Sequence, residues 1–222
     1  MKKMILSMAL ILFSSLVLSA CASNSDDKEK NESHPSSKVS NTTYKVVIDP
    51  GHGGTDVGST GSSGKQEKDF TLSVSKKVEK ILEQEPQIEV FMTRTDDSFI
   101  SQESRFRPKY ANKLNADVFI SIHGNTFSDP SVSGTETFYY HSNSFRLAEI
   151  LQKQVVEATG FRDRGKKKGD LFVVKDTKMP AALIEVGYLT NPQDESKMWT
   201  DDFQSRVAAS IVEGIKEYIS TK

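Results

Sequence analysis

The run Val46-Val47-Ile48 passes straight into Asp49-Pro50-Gly51-His52-Gly53-Gly54, and it restricts the fold more than any other stretch of the chain. An apolar run without alternation reads as a strand buried on both faces, the kind that parallel sheets contain. Pro50 and Gly51 stop it, and Gly53 and Gly54 let the backbone turn tightly beside the histidine. Two later strands follow the same plan. Val118-Phe119-Ile120-Ser121-Ile122 ends at His123-Gly124-Asn125, and Ala181-Ala182-Leu183-Ile184 meets Glu185, with Gly187 close behind. Further strands are expected at 87–93, 135–140 and 171–174. Apolar residues at three- and four-residue spacing predict helices over 67–83, 145–159 and 203–219. Another is expected over 108–114, with Pro108 at its first position. Strands alternating with helices predict an α/β fold: one domain over 44–222, with a mostly parallel central sheet of about six strands and helices on both faces.

The N-terminus is of a different kind. Lys2 and Lys3 precede an apolar stretch from Met4 to Val17, and Leu18-Ser19-Ala20-Cys21 closes it. A charged start, a short apolar core and small residues before a cut site make a secretory signal. Its length is below the roughly 20 residues of a membrane span. Leu-Ser-Ala-Cys resembles the lipobox of bacterial lipoproteins. The resemblance implies a signal peptide over 1–20, cleavage before Cys21 and a lipid on its sulfur. Cys21 is the single cysteine of the chain, so no intrachain disulfide is available. Residues 21–43 are rich in Ser, Asn, Asp, Glu and Lys, and are expected to act as a flexible polar tether carrying a functionless His34. The expected location is the outer side of a bacterial cell membrane, facing the cell wall. A formal net charge of -1 lacks the basic footprint of a nucleic-acid binder.

His52, His123 and Glu185 all stand at or just beyond strand ends, where open α/β sheets bind ligands. Glu67, at the start of the helix after the first strand, points to the same edge. Two imidazoles and a carboxylate form a zinc-binding set, and a further carboxylate can move protons beside it. Plainer readings exist at this point. His52 can be an idle loop residue, Glu67 a first-turn acid favoured by the helix dipole, and His123 a hydrogen-bonded core histidine. Glu185 interrupts an apolar run, where an unpaired charge costs several kcal/mol, so it needs a partner.

Four segments then carry a resemblance to a family. They are Val47 to Gly54, Glu67, Ala116 to Asn125, and Ile184-Glu185-Val186-Gly187-Tyr188-Leu189-Thr190-Asn191. In this order they resemble the zinc-dependent N-acetylmuramoyl-L-alanine amidases of the amidase-3 type. Thr93-Arg94, Arg107, Ala111-Asn112, Gly134 to Thr137 and Pro180-Ala181 fit as well. The resemblance implies that His52, Glu67 and His123 bind one Zn²⁺ and that Glu185 is the catalytic carboxylate. It implies peptidoglycan as substrate, cut at the amide between N-acetylmuramic acid and L-alanine. Asn125 and Arg94 are candidates for supporting the ligands or touching substrate.

Some members of that family carry a helix that covers the site until a partner removes it. Here only Gly124 to Ser133 separate His123 from Gly134, which predicts an open site. No added wall-binding repeat is expected. Two other readings stay open: a catalytically weak wall-binding or regulatory protein on the same fold, and a zinc peptidase cutting within the stem peptide. Arg162, Arg164 and Lys166 to Lys168 are expected to form a solvated basic loop, with stem-peptide carboxylates or anionic wall polymers as alternative partners. His141 is expected at the surface, and Met198 and Trp199 in helix packing.

Overall fold

A computed structural model describes residues 43–222. The expected signal peptide, Cys21, the tether and His34 lie outside the described residues. The elements are β1 (Tyr44–Pro50), α1 (Glu67–Leu82), β2 (Ile88–Met92), α2 (Phe106–Leu114), β3 (Val118–Asn125), β4 (Thr135–Tyr139), α3 (Phe145–Thr159), β5 (Asp163–Lys168), α4 (Phe172–Lys175), β6 (Ala181–Tyr188), α5 (Pro192–Met198) and α6 (Asp201–Ser220).

The six strands form one sheet in the order β2-β1-β3-β6-β4-β5. All neighbours are parallel except β4 and β6. The expected α/β class, strand number and mostly parallel sheet therefore hold. Since β4 and β5 run against the others, their starts share an edge with the ends of β1, β3 and β6. Successive residues of a strand face opposite sides, and the two faces are covered unequally. Val46, Ile48, Ile120, Ile122, Ala182, Ile184 and Val186 meet the long helices α1, α3 and α6 in the larger core. Val47, Phe119, Ala181 and Leu183 meet α2 and the single turn α4 in a smaller one. The second, thinner face is the one that Asp49, His123, Glu185 and Glu136 share by alternation.

Three expectations need correction. Leu171 to Val174 is not a strand: residues 172–175 make one helical turn, closed by Val174 N–H donating to the Leu171 carbonyl at 3.1 Å. A short apolar run does not distinguish a strand from a buried turn by its period. The fifth strand is instead the basic run, Asp163 to Lys168, which was expected as a loop. It lies at the sheet edge, where lysines prevent pairing with other chains, so apolar patterning is not required of it. Pro108 is third in α2, not first; the first four helical N–H groups lack intrahelical partners, so a proline there forfeits nothing. The short helix α5 was not foreseen, although Asn191 caps it by accepting from the N–H groups of Gln193 and Asp194, with Pro192 next.

Helix α5 also ties down the glycine- and serine-rich loop after β1. Glu195 is buried, and its carboxylate accepts from the Ser62 hydroxyl and from Ser63 N–H (2.9 Å) and Oγ (2.7 Å). Burial raises the Glu195 pKa, but these serine donors outweigh it and hold the group below its ordinary value. Its contribution to stability is therefore present above about pH 4.3 and is lost as pH falls through the lowered value. Glu195→Ala is expected to cost about 1–3 kcal/mol and to speed proteolysis within residues 59–65. Unchanged cleavage there would contradict the latch.

Candidate metal centre

The loop after β1 places the first histidine through backbone geometry. His52 has a positive φ of 59°, a left-handed conformation that costs on the order of 1–3 kcal/mol outside glycine. Two buried arginines hold it there. Arg107 donates to the carbonyls of Pro50 (2.6 Å) and His52 (2.7 Å), and Arg94 donates to those of Pro50 (3.2 Å) and Gly51 (2.8 Å). Asp49 is fully buried, pairs with Arg107, and accepts from the Thr93 and Ser121 hydroxyls. These contacts fix three consecutive carbonyls at the strand end. Asp49→Asn breaks a buried ion pair and is expected to cost about 3–5 kcal/mol in a denaturant titration; a change below about 1 kcal/mol would contradict the clamp. Gly51 leaves the space that the His123 ring fills, since a Cβ there would lie 2.3 Å from His123 Cε1.

The structure brings His52, Glu67 and His123 together: one donor atom from each lies within 4.8 Å of the others. Glu67 is the first residue of α1, and its N–H donates to the Ser59 carbonyl at 2.9 Å while Ser59 N–H donates to its Oε2 at 2.8 Å. Its Oε1 lies 3.2 Å from His52 Nε2 and 2.9 Å from His123 Nδ1, and accepts from Gly124 N–H at 3.1 Å. Burial raises the Glu67 pKa, but the hydrogen bonds and charges of His123 and His52 outweigh it, so the carboxyl sits well below its ordinary value. For His52, burial lowers the pKa, while Glu67 and then Asp56 outweigh it and leave the group raised.

Asp56 was not foreseen. Its Oδ1 lies 2.8 Å from His52 Nδ1, which turns Nε2 toward Glu67 and His123. A carboxylate behind a histidine is the usual support of a metal ligand, fixing both tautomer and ring direction. The only hint in the sequence is an acid four residues after the histidine. A set of two imidazoles and one carboxylate, with one histidine so supported, fits Zn²⁺ with a position left for substrate.

Glu185 stands opposite His123 in the β3–β6 register and opposite Glu136 in the β4–β6 register. The residue is half-buried, yet its Oε2 is shielded from solvent and has no hydrogen-bond partner. Burial first, then the charges of Glu67 and Glu136, push its pKa well above the ordinary value. An open cleft of about 350 Å³ is lined by His52, Glu67, His123, Asn125 and Glu185 among others. A smaller lobe of about 180 Å³ adjoins it at the two histidines and is walled by Gln102, Leu171, Phe172, Val173 and Leu183. The 126–134 connection holds turns and bends with no helix.

The two remaining candidates take different places: Arg94 supports the backbone beside His52, and Asn125 lines the cleft. Arg94 is 4% exposed and is spent on backbone carbonyls behind the loop. Asn125 lines the cleft but does not bond His123; it donates to Glu136 and accepts from Thr126 N–H. His141 Nε2 lies 2.8 Å from the Lys175 carbonyl, away from the site. Met198 is buried in the larger core, and Trp199 packs against it.

Comparison with known proteins places this geometry. The sequence profile of the N-acetylmuramoyl-L-alanine amidase family, amidase-3 type, matches residues 46–217. A protein of Bacillus subtilis strain 168 named YqiI is 42% identical over 177 residues, covering 78% of this chain and 84% of that protein. The probable cell wall amidase LytH of Staphylococcus aureus is 34% identical over 79% of this chain, which spans 58% of LytH. Among solved structures, the catalytic domain of CwlV, an N-acetylmuramoyl-L-alanine amidase of Bacillus (Paenibacillus) polymyxa, superposes with a TM-score of 0.78 at 45% identity. It covers 81% of this chain and 100% of that domain. An N-acetylmuramoyl-L-alanine amidase from Clostridium difficile 630 gives 0.78 at 36% identity, over 82% and 99%.

Proposed function

Because this chain belongs to the N-acetylmuramoyl-L-alanine amidase family, we propose that it hydrolyses peptidoglycan at the amide between the lactyl group of N-acetylmuramic acid and L-alanine, with His52, Glu67 and His123 holding one zinc ion. The observation that carries this reading is the convergence of those three side chains beside an unpartnered buried carboxylate, Glu185 Oε2. When bound, zinc supplies Lewis-acid chemistry: it makes water a nucleophile near neutral pH and polarises a carbonyl.

The protein's own part is proton transfer and alignment. Glu185 takes a proton from the attacking water as its oxygen joins the lactyl carbon. It then hands that proton to the amine nitrogen of L-alanine as the C–N bond breaks. A base that later serves as acid works best with a pKa near the working pH. Burial and the two neighbouring carboxylates raise Glu185, and a bound dication opposes that shift. Asp56 holds the tautomer of His52, and the arginine clamp holds its backbone. Release of soluble fragments from purified peptidoglycan that stops on chelation and returns with added zinc is the expected behaviour. Release that is indifferent to chelator would sink the metal assignment.

We further propose that Cys21 carries a lipid and that the enzyme works outside the cell membrane against the wall. Tyr44 starts β1, whose seven residues span about 20 Å at ~3.3 Å each, so Tyr44 lies at the end of that strand away from the cleft. Two acyl chains anchor far more firmly than one. Radiolabelled palmitate is expected on the wild type and absent from Cys21→Ala; equal labelling of both refutes the anchor.

A further inference from the structure

The basic strand β5 has a task that edge protection does not explain. On the thinner face of the sheet, one row of side chains crosses the cleft edge: His123 on β3, Glu185 on β6, Glu136 on β4, then the cations of β5. His123 and Glu185 are register partners, as are Glu136 and Glu185. Lys167 pairs with Phe138, which shares a face with Glu136 by alternation. Glu136 is 3% exposed. It accepts from Tyr188 Oη at 2.8 Å and from Asn125 Nδ2, and it pairs with Lys167. Arg164 Nε lies 3.8 Å from the same carboxylate.

Lys167 and Arg164 thus both face the carboxylate of Glu136, with Glu185 next in the row. Arg164 Nε is also buried with no hydrogen-bond partner, while its Nη1 donates to the Ser133 carbonyl at 3.4 Å and its guanidinium lies 5.2 Å from the Tyr188 ring centre. Neighbouring acids are engaged elsewhere. Asp163 accepts from Gln152 and Gly165 N–H, and Asp194 accepts from Ser133 and from the N–H groups of Gly134 and Tyr188. Lysines that only guard a strand edge need neither a buried carboxylate beneath them nor an unmet donor beside them.

We propose that the stem peptide runs from the cut amide across β6 and β4 toward β5, and that Lys167 and Arg164 receive a carboxylate of its second or third residue. The direction rests on the amidase reading. Glu185 hands its proton to the leaving amine, so the peptide side of the bond lies on the Glu185 flank. The muramoyl side falls in the smaller lobe walled by Gln102, Leu171, Val173 and Leu183. Two strand spacings separate β5 from β6, about 10 Å, which two to three residues of extended peptide bridge. Charge-assisted bonds to a carboxylate are the strong ones.

The test uses the zinc-loaded full chain and two synthetic substrates with amidated C-termini. One is N-acetylmuramoyl-L-Ala-D-Glu, with Glu joined to Ala through its amine, its side-chain carboxyl carrying the terminal amide and its α-carboxyl free; the other carries the α-carboxyl as an amide too. Wild type is expected to favour the free carboxylate about tenfold in kcat/KM. The ratio should fall to about one in Lys167→Met and persist in Lys167→Arg. A wild-type ratio near one, or a tenfold ratio kept by Lys167→Met, overturns the proposal. A merely structural loss lowers both rates and leaves the ratio, which also overturns it. Hydrolysis of neither substrate by wild type removes the amidase reading and this proposal with it.

Discussion

Glu185→Gln is expected to lower the hydrolysis rate roughly 10³-fold, within the range that positioned acid–base groups supply, while the protein keeps its zinc. The substitution removes a cleft carboxylate that can accept a proton without surrendering a metal ligand or the Asp56 support of His52. It also removes an ionisable group held in an unfavourable place, with a shielded oxygen and no partner. Stability should report this as well. In the metal-free protein Glu185 is raised above its unfolded value by burial, then by Glu67 and Glu136. Its stabilising contribution is full below about pH 4.3 and is lost as pH rises toward the raised value. Glu185→Gln lacks that loss, so the metal-free variant should gain on the wild type from pH 4 to pH 7 in thermal melts. A variant that keeps turnover, or that loses zinc along with it, contradicts the role.

His123→Ala is expected to abolish both activity and measurable zinc binding in isothermal titration. A ligand that binds only the folded state at 100 times its Kd stabilises by about 2.7 kcal/mol. At roughly 2–4 °C per kcal/mol for a domain of this size, the zinc-dependent rise in melting temperature, about 5–10 °C, should vanish. The affinity of the wild type should also fall with pH. Metal ligation needs neutral imidazole, and His52 is raised by Glu67 and Asp56 against the opposing effect of burial. Protons therefore compete for it already above its ordinary value of about 6.5. A zinc affinity flat across pH 5 to 8 would contradict this ligand set.

The readable parts of the sequence were those in which burial and chemistry coincide. β1, β3 and β6 are covered on both faces, so their apolar runs mark them, and the ligand candidates stand where those runs stop. The long helices announced themselves through stripes such as Phe70, Val74, Val78 and Leu82, all buried against the sheet. β5 was unreadable because four of its six residues are cations and a fifth is glycine. An edge strand packed on its lysine stems leaves no apolar period. Leu171 to Val174 misled for the opposite reason, because a single buried turn is as apolar as a strand. The supports of the site were hidden by distance along the chain. Asp49 and Arg107 are 58 residues apart, and Glu136 and Tyr188 are 52 apart. Nothing local says that Arg94 will close on backbone carbonyls rather than on substrate.

The most direct test of the central claim is mass spectrometry of the products released from purified peptidoglycan by the zinc-loaded protein, with Glu185→Gln alongside. The amidase account predicts stem peptides with a free L-alanine amine, glycan that keeps intact muramic acid, and neither product from the variant. New termini within the stem peptide would contradict it and make the protein a peptidase. Zinc-bound protein that releases nothing would contradict it in the other direction, leaving a wall-binding role on the same fold.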